Sequence, residues 1–153
     1  MKRDEIIFQL MDSIYEVSRV TSLYESVPRK YGTDDELYMV EAHTINLIGE
    51  RVKTNTSELA ELTKKTKGAI SQMVNKLKKK DLVIKYKNPT DSREIIIELS
   101  EKGKQVFEYH KELDKIEYTK ILNQLDEFTT EDLSKFIKIS SIISNSTKKS
   151  LVE

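Results

Sequence analysis

One short stretch of the chain carries most of the side chains that could bind a polyanion. Residues 64–87 hold nine lysines and a single acid, Asp81, although the whole chain has 26 basic and 26 acidic residues. The stretch therefore has a net charge of +8, and the rest of the chain carries −8. A molecule polarised in this way can bind a polyanion with one part of its surface.

Polar side chains in and after this stretch are suited to reading nucleic acid. Gln72 and Asn75 carry amides that can pair with adenine, and Lys and Ser side chains can reach guanine or phosphate. Gly68 lacks a side chain where a nucleic-acid backbone could approach closely. Arg93 is suited to a narrow minor groove, and Asp91 is placed to orient its guanidinium group. The predicted DNA contacts are Ser57, Thr66, Lys67, Gly68, Ser71, Gln72, Asn75, Lys76, Lys78, Asp91 and Arg93.

The two histidines, His43 and His110, are the other candidates for chemistry. His110 and Asp114 are four residues apart and share one face of a predicted helix. An imidazole and a carboxylate one turn apart form half of a site for zinc or a similar divalent ion. The same pair could act as a general base and its orienting group, but no nucleophile accompanies it. The structural alternative is a part-buried core His43 and an exposed His110.

Composition excludes several classes of protein. The 153 residues contain no Cys, which excludes disulfide frameworks, Cys-zinc sites and thiol catalysis. The four Gly never cluster, so there is no glycine loop to hold a phosphate. No apolar run approaches the ~18 residues of a membrane span, and the N-terminus lacks the apolar segment of a signal peptide. We therefore expect a cytoplasmic protein that is not an enzyme.

The elements that must position these side chains follow from hydrophobic periodicity. Apolar residues with a 3.6-residue period predict six helices, over residues 4–26, 39–52, 58–62, 67–80, 101–124 and from about 130. Between the fourth and fifth of these helices the period of the apolar residues changes to two, and β-branched runs at 82–87 and 95–99 predict a hairpin. Three helices are preceded by good N-cap residues, namely Ser57, Thr66 and Ser100. The tail from Ser144 is expected to fray.

Two short helices followed by a two-stranded hairpin form a winged helix-turn-helix. In this arrangement the second short helix lies in a DNA major groove, and the hairpin, or wing, lies beside it. The lysines alone would fit an ordinary solvated helix face, but they coincide with both the helix pair and the hairpin. We therefore expect binding to double-stranded DNA by a mainly α-helical protein with one small β-hairpin wing.

The predicted organisation has three segments. A dimerisation helix and loop span residues 1–38, the winged helix-turn-helix spans 39–99, and the C-terminal dimerisation helices and tail span 100–153. The terminal helices carry wide apolar stripes that a single chain would leave exposed. A two-fold symmetric homodimer would cover them and could read a palindromic site. The alternative is that the two helices pack on each other within one chain.

Four segments of the chain resemble the MarR-type transcriptional regulators. They are Thr56–Ala60, Thr66–Leu77, Asp91–Arg93 and Leu99–Lys104. The resemblance covers nearly the whole chain and implies a ligand-responsive repressor that dimerises through its first and last helices. Each monomer would then read half of a pseudo-palindromic operator. One departure is Asp81, where the family usually has glycine; Asp tolerates the left-handed conformation better than most residues.

The chain is also similar to the zinc-responsive branch of this family. By that similarity the predicted ligands of zinc or another divalent metal are Glu25, His43, His110 and Asp114. Asp114 stands where the branch has another histidine. The second metal site of the branch would fall on Tyr31, Ala42 and Tyr109, which bind zinc poorly. The alternatives are no effector, or a small aromatic molecule in a pocket lined by Tyr24, Tyr31, Tyr38 and His43.

Overall fold

The computed structural model describes residues 2–151, which form six helices and two small antiparallel sheets. The helices are α1 (Arg3–Glu25), α2 (Met39–Arg51), α3 (Thr56–Thr63), α4 (Lys67–Lys79), α5 (Glu101–Gln124) and α6 (Thr130–Ser150). The strands are β1 (Arg29–Lys30), β2 (Glu36–Leu37), β3 (Val83–Lys87) and β4 (Ile95–Leu99). β1 pairs with β2, and β3 pairs with β4. The predicted mainly α-helical fold with a hairpin wing is confirmed, whereas the β1–β2 ribbon was not predicted.

The chain divides into two compact units, the first ending at Leu113 and the second beginning at Asp114. The first unit has its core where α2, α3, α4 and the β3–β4 hairpin meet, and Val106 of α5 is buried with them. Leu59 and Leu77 are fully buried in this core. In the second unit, α6 has no buried residue. No helix within residues 2–151 is long and apolar enough to cross a membrane.

The first helix of the helix-turn-helix begins earlier than predicted. Asn55 precedes α3 in an extended conformation, and its Oδ1 accepts the Glu58 N–H at 2.9 Å. The prediction that Ser57 caps this helix is therefore wrong, because Ser57 lies in its first turn. Asn is among the strongest N-cap residues, and here it is one step outside the helix. Thr66 caps α4 as predicted, with Oγ1 3.1 Å from the Ala69 amide nitrogen.

The turn after α4 contains the predicted left-handed residue. Asp81 has a φ of 57°. The Leu82 N–H donates to the Leu77 carbonyl at 3.0 Å, which satisfies an acceptor that the helix end leaves open. Aspartate therefore takes the glycine position of this turn without loss of the closing hydrogen bond.

β4 has a second backbone partner besides β3. Thr54 and Ile97 exchange both backbone hydrogen bonds, at 3.0 and 2.8 Å. The segment that leads into α3 therefore pairs with the wing sheet, and the helix-turn-helix and the wing are joined through the main chain.

The C-terminal helix is longer than predicted. It continues to Ser150, so the expectation that the chain frays from Ser144 is wrong within the described residues. Thr129 and Asp132 form a reciprocal capping box at its start. Two lysines lie in its last turn, where the helix dipole favours positive charge.

Candidate nucleic-acid interface

α4 presents one buried face and one exposed face. Ile70, Val74 and Leu77 recur at helical spacing and are buried in the core. The predicted contacts on the opposite side are exposed, apart from Ser71, which is half-buried. The exposed ones are Thr66, Lys67, Gly68, Gln72, Asn75, Lys76 and Lys78. This polar face has the form of a recognition helix.

Gly68 lies in open space at the start of α4. A Cβ atom built there would meet nothing nearer than the Thr66 hydroxyl, at 3.9 Å. The chain itself therefore has room for a side chain at this position, so its own packing does not explain the glycine.

Asn75 is held by a residue of the wing. Lys85 Nζ on β3 donates to Asn75 Oδ1 at 3.0 Å. A bidentate pair with adenine needs both the oxygen and the nitrogen of the amide. Lys85 uses one of the two acceptor lone pairs of this oxygen, so an adenine would have to share the oxygen with Lys85.

The wing tip carries the expected pair of opposite charges. The side-chain Nε of Arg93 lies 3.2 Å from Asp91 Oδ1, and the backbone N–H of Arg93 donates to the same oxygen at 3.1 Å. These hydrogen bonds hold the pKa of Asp91 below its ordinary value. The Arg93 side chain is 90% exposed, so its guanidinium group is oriented but open to solvent.

A carboxylate clamp that the sequence did not suggest positions the wing. Glu94 accepts hydrogen bonds from the amide groups of Asn55, at 2.6 Å, and Asn88, at 2.5 Å. Asn55 also caps α3, so this one residue connects the helix-turn-helix to the wing. A cavity of about 500 Å³ lies beside the clamp and is lined by residues that include Ser57 and Arg93. Neither Asn55 nor Glu94 was predicted from the sequence, although Asn is among the strongest N-cap residues.

The burial of the two histidines is the reverse of the alternative considered above, a part-buried core His43 and an exposed His110. His110 is buried and His43 is exposed. The His110 ring lies 5.7 Å from that of His43 and 5.2 Å from that of Tyr31, measured between centroids. His110 Nδ1 lies 2.5 Å from Asn46 Nδ2. Two imidazoles are therefore neighbours, one of them held by an amide.

The four predicted metal ligands do not form an assembled site. Among residues 2–151, no three His, Asp or Glu side chains are grouped closely enough to hold one ion. Glu25 is the last residue of α1, and Asp114 is the first residue of the second unit. The structure thus brings together the two histidines and no third ligand.

The four residues predicted to line an organic-ligand pocket are in different environments. Tyr31 is fully buried, whereas Tyr24 and Tyr38 are exposed. The Arg29 guanidinium carbon lies 3.5 Å from the centroid of the Tyr24 ring. A cavity of about 370 Å³ between α2, α3 and α4 is lined by His43 but by none of these tyrosines.

Comparison with known proteins agrees with this geometry. Residues 37–95, which include the helix-turn-helix and most of the wing, match the family model described as MarR family. The helix-turn-helix and most of the wing of this chain are therefore similar to those of the MarR family. Proteins of that family are DNA-binding transcriptional regulators.

Two curated relatives of this chain come from Bacillus subtilis strain 168. It is 25% identical over 100 residues to the HTH-type transcriptional regulator PchR, a match that covers 65% of this chain and 59% of PchR. It is 23% identical over 104 residues to the HTH-type regulator YhjH, covering 68% of this chain and 59% of that protein. The matched region thus spans less than two thirds of each relative.

Solved structures share the fold of this chain over nearly its whole length. FabT of Streptococcus pneumoniae, in complex with DNA, has a TM-score of 0.69 at 20% identity and covers 95% of this chain and 97% of its own. The zinc-responsive MarR family member ZitR of Lactococcus lactis has a TM-score of 0.73 at 15% identity, with coverages of 93% and 99%.

Proposed function

We infer that this chain is a MarR-type transcriptional regulator that binds a pseudo-palindromic operator as a homodimer and represses transcription. We further infer that a divalent metal ion modulates its affinity for DNA. Two features together support DNA binding. One is the exposed polar face of α4, and the other is the solvent-exposed Arg93, whose guanidinium group is oriented by Asp91. α4 is suited to the major groove and Arg93 to the neighbouring minor groove. Gly68, which has room for a side chain, is suited to a close approach of the DNA backbone.

Exposed apolar side chains on the terminal helices support the homodimer. α1 buries no residue, although Phe8, Val17 and Leu23 are among its exposed apolar side chains. In the second unit, α6 leaves Ile137 and Ile142 exposed. Surfaces of this kind on a helix are usually covered by a partner. A second copy of the chain supplies the two-fold symmetry that a pseudo-palindromic operator requires.

Binding measurements across salt concentrations test the DNA-binding proposal. Fluorescence anisotropy with promoter DNA and with a random duplex should give tighter binding to the promoter and a steep salt dependence for both. Light scattering should give the mass of two chains. Equal affinity for the two duplexes would refute operator recognition, and a monomeric mass would refute the two-fold arrangement.

The histidine pair supports the metal effector. His43 and His110 supply two neighbouring imidazoles, and Zn²⁺ accepts His nitrogen together with carboxylate oxygen. Glu25 and Asp114 are the proposed carboxylate ligands. Because no third ligand is grouped with the histidines, metal binding requires a rearrangement of these side chains. One structural neighbour, ZitR, is a zinc-responsive member of the family.

Calorimetry separates the metal proposal from its alternative. Zinc should bind the wild type and not the His43→Ala/His110→Ala variant, and a chelator should change operator affinity. Equal zinc binding by both proteins would favour a small aromatic effector instead. The cavity of about 370 Å³ beside His43, with Leu47 and Met73 in its walls, is the observation that supports that alternative.

A further inference from the structure

Glu41 is a fully buried carboxylate between α2 and α4. Its Oε2 accepts the Tyr38 N–H at 2.8 Å, and its Oε1 lies 2.9 Å from Lys80 Nζ and 3.3 Å from Lys76 Nζ. Burial raises the pKa of this group, but the Tyr38 N–H and the two lysines outweigh burial and lower it overall. Two ammonium groups lie beside Oε1, so the carboxylate charge of Glu41 is directed at the recognition helix.

The two lysines that Glu41 holds belong to the basic surface of α4. Lys76 and Lys80 are one helical turn apart and so lie on the same side of the helix. Lys80 is 25% exposed, and its ammonium group also donates to the Glu36 carbonyl at 2.9 Å. Lys76 is 50% exposed, so its side chain has solvent in which to move. Lys78 is also an exposed lysine of this helix, but it is not one of the two lysines that contact Glu41.

We propose that Glu41 determines the DNA specificity of this regulator by withholding Lys76 and Lys80 from the phosphate backbone. The inference rests on the proposed binding to DNA. A lysine increases affinity for any DNA sequence when it replaces counterions on a phosphate, and this term supplies essentially all non-specific binding. An ammonium group already paired with a protein carboxylate cannot contribute fully to that term. Glu41 thus lowers non-specific affinity.

The same contacts position the side chains that read bases. Glu41 joins α2 to the C-terminal half of α4, which fixes the rotation of α4 about its axis. Gln72 and Asn75 face outward only in one rotational setting of α4. The ion pairs of Glu41 therefore support base contacts by these two residues while they suppress contacts of the paired lysines with phosphate. Both effects raise the ratio of operator affinity to random-sequence affinity, which is the quantity that selects one site in a genome.

Glu41→Gln tests the proposal because it removes the charge and keeps an oxygen to accept the Tyr38 N–H. Affinity for a random duplex should rise about fivefold at physiological salt for each lysine released, and the salt slope should steepen by about one. The ratio of operator to random affinity should fall. Glu36→Gln is the matched control, because it changes the net charge equally at an exposed side chain and should alter the salt slope less.

A second pair of variants keeps the test valid if Glu41→Gln does not fold. Lys76→Gln should reduce the salt slope for random DNA by less than Lys78→Gln does, because Lys76 is paired with Glu41. Lys78→Gln should reduce the slope by about 0.9. Circular dichroism would confirm that each variant is folded.

The outcomes distinguish this inference from the proposed function. A parallel loss of operator and random affinity in Glu41→Gln, with an unchanged salt slope, would show that Glu41 only supports the fold. Equal slope changes in Lys76→Gln and Lys78→Gln would also overturn the inference. Wild-type protein that binds neither duplex would overturn the proposed function itself.

Discussion

Lys85 on the wing strand β3 donates to the side-chain oxygen of Asn75 on the exposed face of α4, at 3.0 Å. The wing therefore sets which polar atoms of the recognition helix are available to a base. Lys85→Met should free the Asn75 oxygen and improve affinity for operators with adenine at the contacted position by on the order of 1 kcal/mol. Selection from a randomised operator library measures this change.

Lys87→Met is the matched control for that variant, since Lys87 is an exposed lysine of the same strand. It should weaken binding to all sequences alike and leave the base preference unchanged. Identical base preferences in both variants would show that Lys85 does not control the reading by Asn75.

Gly68→Ala should stabilise the free protein and weaken operator binding. Alanine is favoured over glycine within a helix by about 1 kcal/mol, and the added Cβ has open space in the free chain. Bound DNA would occupy that space. Urea unfolding and anisotropy measure the two effects. Gly103→Ala is a contrasting variant that should unfold the protein, because its Cβ would overlap the Leu82 carbonyl. Unchanged operator affinity in Gly68→Ala would exclude close DNA approach there.

Arg93→Ala should cost on the order of 1–3 kcal/mol in operator binding, with the fold and dimerisation unchanged. Asp91→Ala should have a smaller effect in the same direction, because the guanidinium group stays but loses its orienting partner. Gel-shift titration of both variants measures the order of the effects. A larger loss in Asp91→Ala would mean that Asp91 supports the hairpin turn instead of the arginine.

Val52→Gly should stabilise the protein. Val52 has φ 66° and ψ −54°, and the Lys53 N–H donates to the Arg51 carbonyl at 2.7 Å, which is the strained classic γ-turn. This conformation is costly for a β-branched residue, and the side chain is 69% exposed. The gain should be about 1 kcal/mol in urea unfolding. Val52→Ala keeps a Cβ and should therefore raise the free energy of unfolding by less than Val52→Gly. Equal increases in the two variants would mean that the strain comes from the branched side chain alone and not from the Cβ.

The Glu41 carboxylate should make stability depend on pH in the acid range. Its pKa in the folded protein lies below the ordinary value of 4.5, so its contribution is complete above about pH 4.5 and is lost as the pH falls through the lowered pKa. Urea unfolding of the wild type below pH 4.5 should show this loss. A variant with glutamine at position 41 should show a shallower pH dependence, and parallel curves would contradict the assignment.

Features set by neighbouring residues could be predicted from the sequence. The Thr66 cap, the left-handed Asp81 and the hairpin strands at 82–87 and 95–99 depend on interactions within a few residues, which local patterns encode. The charge cluster on α4 was equally visible, because lysines are counted without knowing the fold.

Features that join distant segments could not be predicted in this way. Spacing along the chain does not reveal that Glu41 pairs with Lys80, or that Asn55 and Asn88 share the carboxylate of Glu94. The burial of His110 depends on which side of α5 packs on Tyr31, and periodicity did not identify that side. Tertiary packing therefore determines which members of a polar cluster are exposed and which are already paired.

The pairing of Thr54 with Ile97 has a consequence for solubility. In the described part of the chain, β4 is bonded on both sides, whereas β3 has a strand partner on its β4 side alone. An open strand edge is a template for aggregation, and lysines along such an edge discourage the pairing of strands from other molecules. Lys85 and Lys87 lie on this edge. The positive charges of the wing thus also make this strand edge a poor template for strands of other molecules.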